Sequence, residues 1–154
     1  MVLTYTKNKE VHVFEGENRT SEIRARMYDM CFEGEVTIKT SKTMEILEIN
    51  GKIFRSFSVQ CFESLKLLEK LKGRRIAGGF TKIVYGLIGR TCPYLASLVM
   101  ECVEGAILGA TVGPLEKALP QLWKTPEKFT KKALISFMPQ MKNSCIAYTM
   151  EDDR

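Results

Sequence analysis

Five cysteines carry most of the reactive chemistry in this chain: Cys31, Cys61, Cys92, Cys102 and Cys145. The one histidine, His12, leaves imidazole catalysis almost no material, and it reads as a plain surface or strand residue. No catalytic residue is assigned. Thiolates are both nucleophiles and soft metal ligands. Cys31-Phe32-Glu33 sets a carboxylate two residues from a sulfur, and positions i and i+2 of a strand share a face. That hard-plus-soft pair suits zinc or iron. Cys92 directly precedes Pro93, whose fixed φ suits the first position of a helix. With Cys92 as N-cap, the helix dipole and free backbone N–H groups would favour its thiolate. The other reading has Thr91 as the cap and Cys92 as filler. Cys102 lies on an apolar stripe and reads as a buried, inert thiol. Cys145 is either an additional ligand folding back to the sheet or a C-terminal thiol with no partner role. No CxxC string occurs, so Cys31 and Cys61 read alternatively as strand-end core residues.

The elements that must position these sulfurs are legible as two blocks. Ile23, Ala25 and Met27 alternate with charged neighbours, and so do Val36 and Ile38, which is the period of a half-buried strand. Asn50-Gly51 between two β-rich runs predicts a tight hairpin turn. An antiparallel meander is therefore expected over residues 21–60, with Cys31 between two strands and Cys61 at its end. The period then becomes helical. Helices are predicted over about 63–72, 80–88, 93–108 and 126–137, and CIAYTM is a candidate short strand. Gly73 suits a left-handed cap after the first of these helices. The fold class is α+β: an antiparallel β-meander followed by helices packed on one face.

With 154 residues, 45% of them apolar and 27% charged, the composition is that of a folded domain rather than a disordered or fibrous chain. A single domain over 1–154 is expected, with a core over 21–113 and a C-terminal helical extension over 114–154. The net charge of +5 is mild and diffuse, so no nucleic-acid partner is expected. The odd cysteine number argues against a disulfide scaffold and for reduced thiols in a cytoplasm. MVLTYTKNKE lacks a signal-peptide pattern. The apolar run from Tyr94 to Gly113 contains Glu101 and Glu104, so it reads as a buried or half-buried helix rather than a membrane span.

Two resemblances add to this reading. The span from about Ser21 to Leu108 resembles an uncharacterised bacterial family of unknown function. Its pattern is a meander, an arginine-bearing strand ending near a cysteine, a helix, a glycine, and a helix start of GC-T-H-L type. The pieces here are Arg55-Ser56-Phe57…Cys61, Leu71-Lys72-Gly73, Gly79-Phe80-Thr81-Lys82 and Gly89-Arg90-Thr91-Cys92-Pro93-Tyr94-Leu95. More distantly, the order of features is similar to IscU/NifU-type scaffolds for iron–sulfur cluster assembly. In those proteins one cysteine precedes a hairpin in a C-G-D string, one follows at a strand-to-helix junction, and one opens a late helix after a histidine. Cys31, with Glu33 in place of the aspartate, Cys61 and Cys92 match those positions. Thr91 stands where the histidine would be, Phe32 replaces the glycine, and the helix over 80–88 is extra.

The IscU/NifU resemblance implies a metal or iron–sulfur site on Cys31, Glu33, Cys61 and Cys92, with Cys145 as a candidate further ligand and an iron–sulfur cluster or zinc as cofactor. It also implies that the sulfurs of Cys31, Cys61 and Cys92 gather at one end of the sheet, with Glu33 pointing to that end. The alternative function is a non-metal protein-interaction module. In that reading Lys70, Lys72, Arg74 and Arg75, and later Lys128, Lys131 and Lys132, meet an acidic protein partner. A thiol enzyme with Cys92 as nucleophile ranks last, because no histidine is placed to serve as its base.

Overall fold

A computed structural model describes residues 2–118, with positions 135–136, 139 and 142 beyond them. The predicted helix over 126–137, the CIAYTM strand and Cys145 lie outside the described residues. By its contacts the chain divides into two compact units, Met1–Thr111 and Val112–Arg154.

The first unit holds a four-stranded antiparallel sheet in sequential order. The strands are β1 (Lys7–Glu15), β2 (Ser21–Asp29), β3 (Phe32–Thr40) and β4 (Ile46–Ser56). The α+β class and the meander are as the alternation predicts, but the meander begins one strand earlier, at Lys7. Helices follow: α1 (Val59–Glu63), running on as a tighter 3-10 stretch (Ser64–Leu71); α2 (Phe80–Val84), running on as a π-helical turn (Tyr85–Gly89); and α3 (Pro93–Ala118).

The predicted Asn50-Gly51 turn is absent. Both residues lie inside β4, where Gly51 pairs with Val36 and Asn50 with Thr37. The physical reason is packing. A Cβ at Gly51 would come within 2.6 Å of Leu68 Cδ1 and 3.0 Å of Leu65 Cδ2. Here glycine makes room for the 3-10 leucines on the strand and does not supply a positive φ. The chain turns instead at Met30-Cys31 and at Ser41–Met44. In the second turn, Ser41 Oγ accepts the N–H groups of Thr43 and Glu45, and Met44 takes φ 64°.

One sheet face is covered. Ile23, Ala25, Met27, Phe32, Val36 and Ile38 are buried beneath Leu95, Leu98, Val99, Cys102 and Ala106 of α3. Small residues set how closely α3 approaches: a Cβ on Gly105 would sit 2.9 Å from Val11 Cγ1, and one on Gly109 2.7 Å from Val13 Cγ1. By length and composition Pro93–Thr111 could also cross a membrane, but in this fold it packs against the sheet. The other face of the sheet is open and charged. Segment 73–76 pairs with the start of β4, where Ile46 N–H donates to the Arg74 carbonyl, Gly73 N–H donates to the Ile46 carbonyl, and Glu45 bridges Arg75.

Candidate thiol site

Three cysteines come to one end of the sheet. β3 begins at Phe32, which pairs with Ser56 at the end of β4, so the Met30-Cys31 turn lies beside the strand that leads into α1. Cys61 is in α1 and Cys92 immediately precedes α3. Tyr94 brings the start of α3 to the same place, its ring stacked on Phe32 with centroids 4.9 Å apart.

Cys61 and Cys92 are joined in a disulfide across 31 residues, with Cα atoms 4.8 Å apart. This separation lies in the usual disulfide range. It corrects the expectation of uniformly reduced thiols: the two cysteines read as independent ligand positions are partners. Both are buried. The backbone N–H of Leu95 donates to Cys92 Sγ at 3.4 Å, so the sulfur, not Thr91, caps the helix. The same N–H, at the positive end of α3, would favour a Cys92 thiolate once the bond opens.

The turn that presents Cys31 is held from three sides. Asp29 Oδ1 accepts the N–H groups of Cys31 (2.7 Å) and Phe32 (2.8 Å). The Tyr5 hydroxyl donates to Asp29 Oδ2 at 3.1 Å. The Arg55 guanidinium donates to the carbonyls of Asp29 and Met30. Burial works to raise the Asp29 pKa, but the two backbone donors and Tyr5 together hold the carboxyl below its ordinary value. Burial raises the Tyr94 phenol, and the Asp29 charge and nearby Cys31 add to the rise. Cys31 is half-buried and free.

Glu33 does not join this site. It lies on the open face, where Arg26 holds it at 2.8 Å. The shared-face argument fails because Cys31 sits in the turn and not on the strand. Among the described residues no three His, Cys, Asp or Glu side chains group to hold a metal ion. Cys102 is buried under the sheet, its thiol donating to the Val36 carbonyl at 3.4 Å, and desolvation pushes its pKa up to about 12. It is inert, as its apolar stripe predicts.

Sequence reasoning assigned no site role to Asp29, Arg55, Tyr5 or Tyr94, although Arg55 and Tyr94 fall within the pieces that carry the first resemblance. The first had a usable signal, since aspartate before two residues between alternating runs marks a turn closed by its own carboxylate. Also missed was the open face, where Glu10, His12, Glu22, Arg24, Arg26 and Glu35 line a shallow concavity of about 450 Å³. Its signal was the charged half of each alternating strand. Compared with protein-family models, curated proteins and solved structures, the chain matches none.

Proposed function

We propose that this chain acts through the Cys61–Cys92 pair as a thiol–disulfide switch. The observation that supports it is the pairing itself: two sulfurs brought together from distant segments, one of them capping α3. Reduction by a thiol reductant breaks the S–S bond. The reductant leaves as its own disulfide, and its two electrons and two protons go to Cys61 and Cys92. The Leu95 N–H lowers the cost of the Cys92 thiolate as leaving group. The link ties α1 to the start of α3, so opening it frees one end of the helical layer.

The competing reading is the metal or iron–sulfur scaffold. The location of Cys31 at the same end of the sheet favours it, since the reduced pair plus Cys31 offers three thiolates. The test is anaerobic purification without a histidine tag, followed by metal analysis and thiol titration. The switch predicts metal-free protein whose free-thiol count falls by two on mild oxidation with oxidised glutathione. Zinc or iron near one per chain, or thiolate-to-metal charge-transfer absorbance, would replace the switch with the metal centre.

A further inference from the structure

The Cys61–Cys92 bond poses a problem of access. Cys61 is 4% exposed and Cys92 0%, so a thiol in solution meets neither sulfur directly. Exchange proceeds by attack of a thiolate on one of the two sulfurs, and burial of both slows it. A third thiol stands at the same end of the sheet. Cys31 is free and half-buried. It precedes Phe32, whose ring stacks on Tyr94, and Tyr94 stands close enough to Cys31 for the thiol to act on its phenol. Tyr94 lies just after Cys92 in the chain, so Cys31 and the buried bond flank one aromatic side chain. Phe32 also pairs with Ser56 at the end of β4, and α1, which carries Cys61, begins at Val59. The turn that carries Cys31 is short, and its neighbour Met30 is 59% exposed.

We propose, on the thiol–disulfide reading of the pair, that Cys31 is its relay thiol: it carries exchange between a low-molecular-weight thiol in solution and the buried Cys61–Cys92 bond. The Cys31 thiolate attacks Cys61 Sγ. A Cys31–Cys61 bond forms and the Cys61–Cys92 bond breaks. Cys92 leaves as a thiolate, favoured by the Leu95 N–H that donates to its sulfur at the positive end of α3, and then takes up the proton that Cys31 gave up. Cys61 is the sulfur attacked because the better-stabilised thiolate departs faster. The new bond includes Cys31, which reaches solvent. One molecule of the small thiol attacks Cys31 Sγ and releases Cys61, which is protonated. A second molecule frees Cys31 and departs as the disulfide of the small thiol. Two thiols thus become one disulfide, and two electrons and two protons reach Cys61 and Cys92. Attack from within the chain gains over attack from solution through its effective concentration. The sulfurs of Cys31 and Cys61 meet through a bend of the Met30-Cys31 turn, against the hold of Asp29 and Arg55. The Cys61–Cys92 bond is therefore the resting form, and the Cys31–Cys61 bond the transient one.

The experiment uses the full oxidised chain, with reduced glutathione as the probe. Samples are quenched by alkylation and peptide-mapped over time. Cys31→Ser should open Cys61–Cys92 about tenfold more slowly than the parent, or slower still. Its equilibrium position in glutathione redox buffers should stay unchanged. The sign separates a relay from a structural role, since a variant that merely loosens the turn would open the pair faster. In Cys92→Ser, which traps the intermediate, mild oxidation should join Cys31 to Cys61. Circular dichroism checks that both variants are folded. Opening at the parent rate or faster in Cys31→Ser would overturn the relay, and so would Cys92→Ser without a Cys31–Cys61 link. Either result leaves the switch standing if the pair still cycles. A pair that opens only on unfolding, in parent and variant alike, would end the switch and the relay together.

Discussion

Cys92 has two jobs in one atom: its sulfur is half of a disulfide and the N-cap of a long helix. Substituting Cys92→Ser keeps a capping oxygen and removes the cross-link. A bond closing a loop of this length typically contributes about 2–4 kcal/mol. Urea unfolding should therefore show Cys92→Ser weaker by about that amount under oxidising conditions and close to the parent in excess dithiothreitol. An equal deficit in both would mean that the sulfur acts by packing alone. Asp29 carries a second expectation. Its folded pKa is depressed below the ordinary carboxylate value of about 3.9. A group of this kind contributes stability above its unfolded pKa and loses it as pH falls through the folded pKa. The parent should lose stability on acidification below about pH 4. Asp29→Asn should lie about 1–2 kcal/mol lower at pH 7 and show a flatter acid limb, because hydrogen bonds to a charged acceptor are the stronger ones. Unfolding midpoints from pH 2 to pH 7 check the sign.

At the scale of elements, Gly34 and Phe32 illustrate how the sheet end is built. The Phe32 ring lies over Gly34, so that a Cβ there would come within 2.8 Å of the ring and 3.0 Å of the Lys52 carbonyl. Phe32 in turn supports Tyr94 at the start of α3. Gly34→Val should destabilise by about 1–3 kcal/mol through overpacking. It should also raise the alkylation rate of Cys31, because the displaced ring loosens the turn beside it. A stable variant with an unchanged Cys31 rate would remove Phe32 from this role. The strands and the start of α3 were legible because their signals are local: alternation in β2 and β3, and Pro93 before an apolar stripe. The Asn50-Gly51 turn misled because the same dipeptide also serves where a neighbouring leucine needs space, and that need arises only in the packed fold. β1 was missed because KNKEVHVFE carries little apolar alternation beyond Val11 and Val13, as an edge strand does. The pairing of Cys61 with Cys92 was illegible for a related reason, since it depends on how α1 and α3 meet rather than on any spacing in the chain.

For the whole molecule, the sheet supplies a platform with one face covered by α3 and the other face charged. The thiol pair sits at one end of the covered face, where α1 and α3 meet. As a switch, that pair opens and closes reversibly while the sheet stays folded. Peptide-mapped alkylation across a series of glutathione redox buffers, at native pH and with folding followed in parallel, tests this most directly. Cys61 and Cys92 are expected to become labelled together as the buffer grows more reducing, while the sheet remains folded. Cys31 should be labelled throughout, and Cys102 only on unfolding. Labelling of Cys61 and Cys92 independently of each other, or only when the protein unfolds, would contradict it.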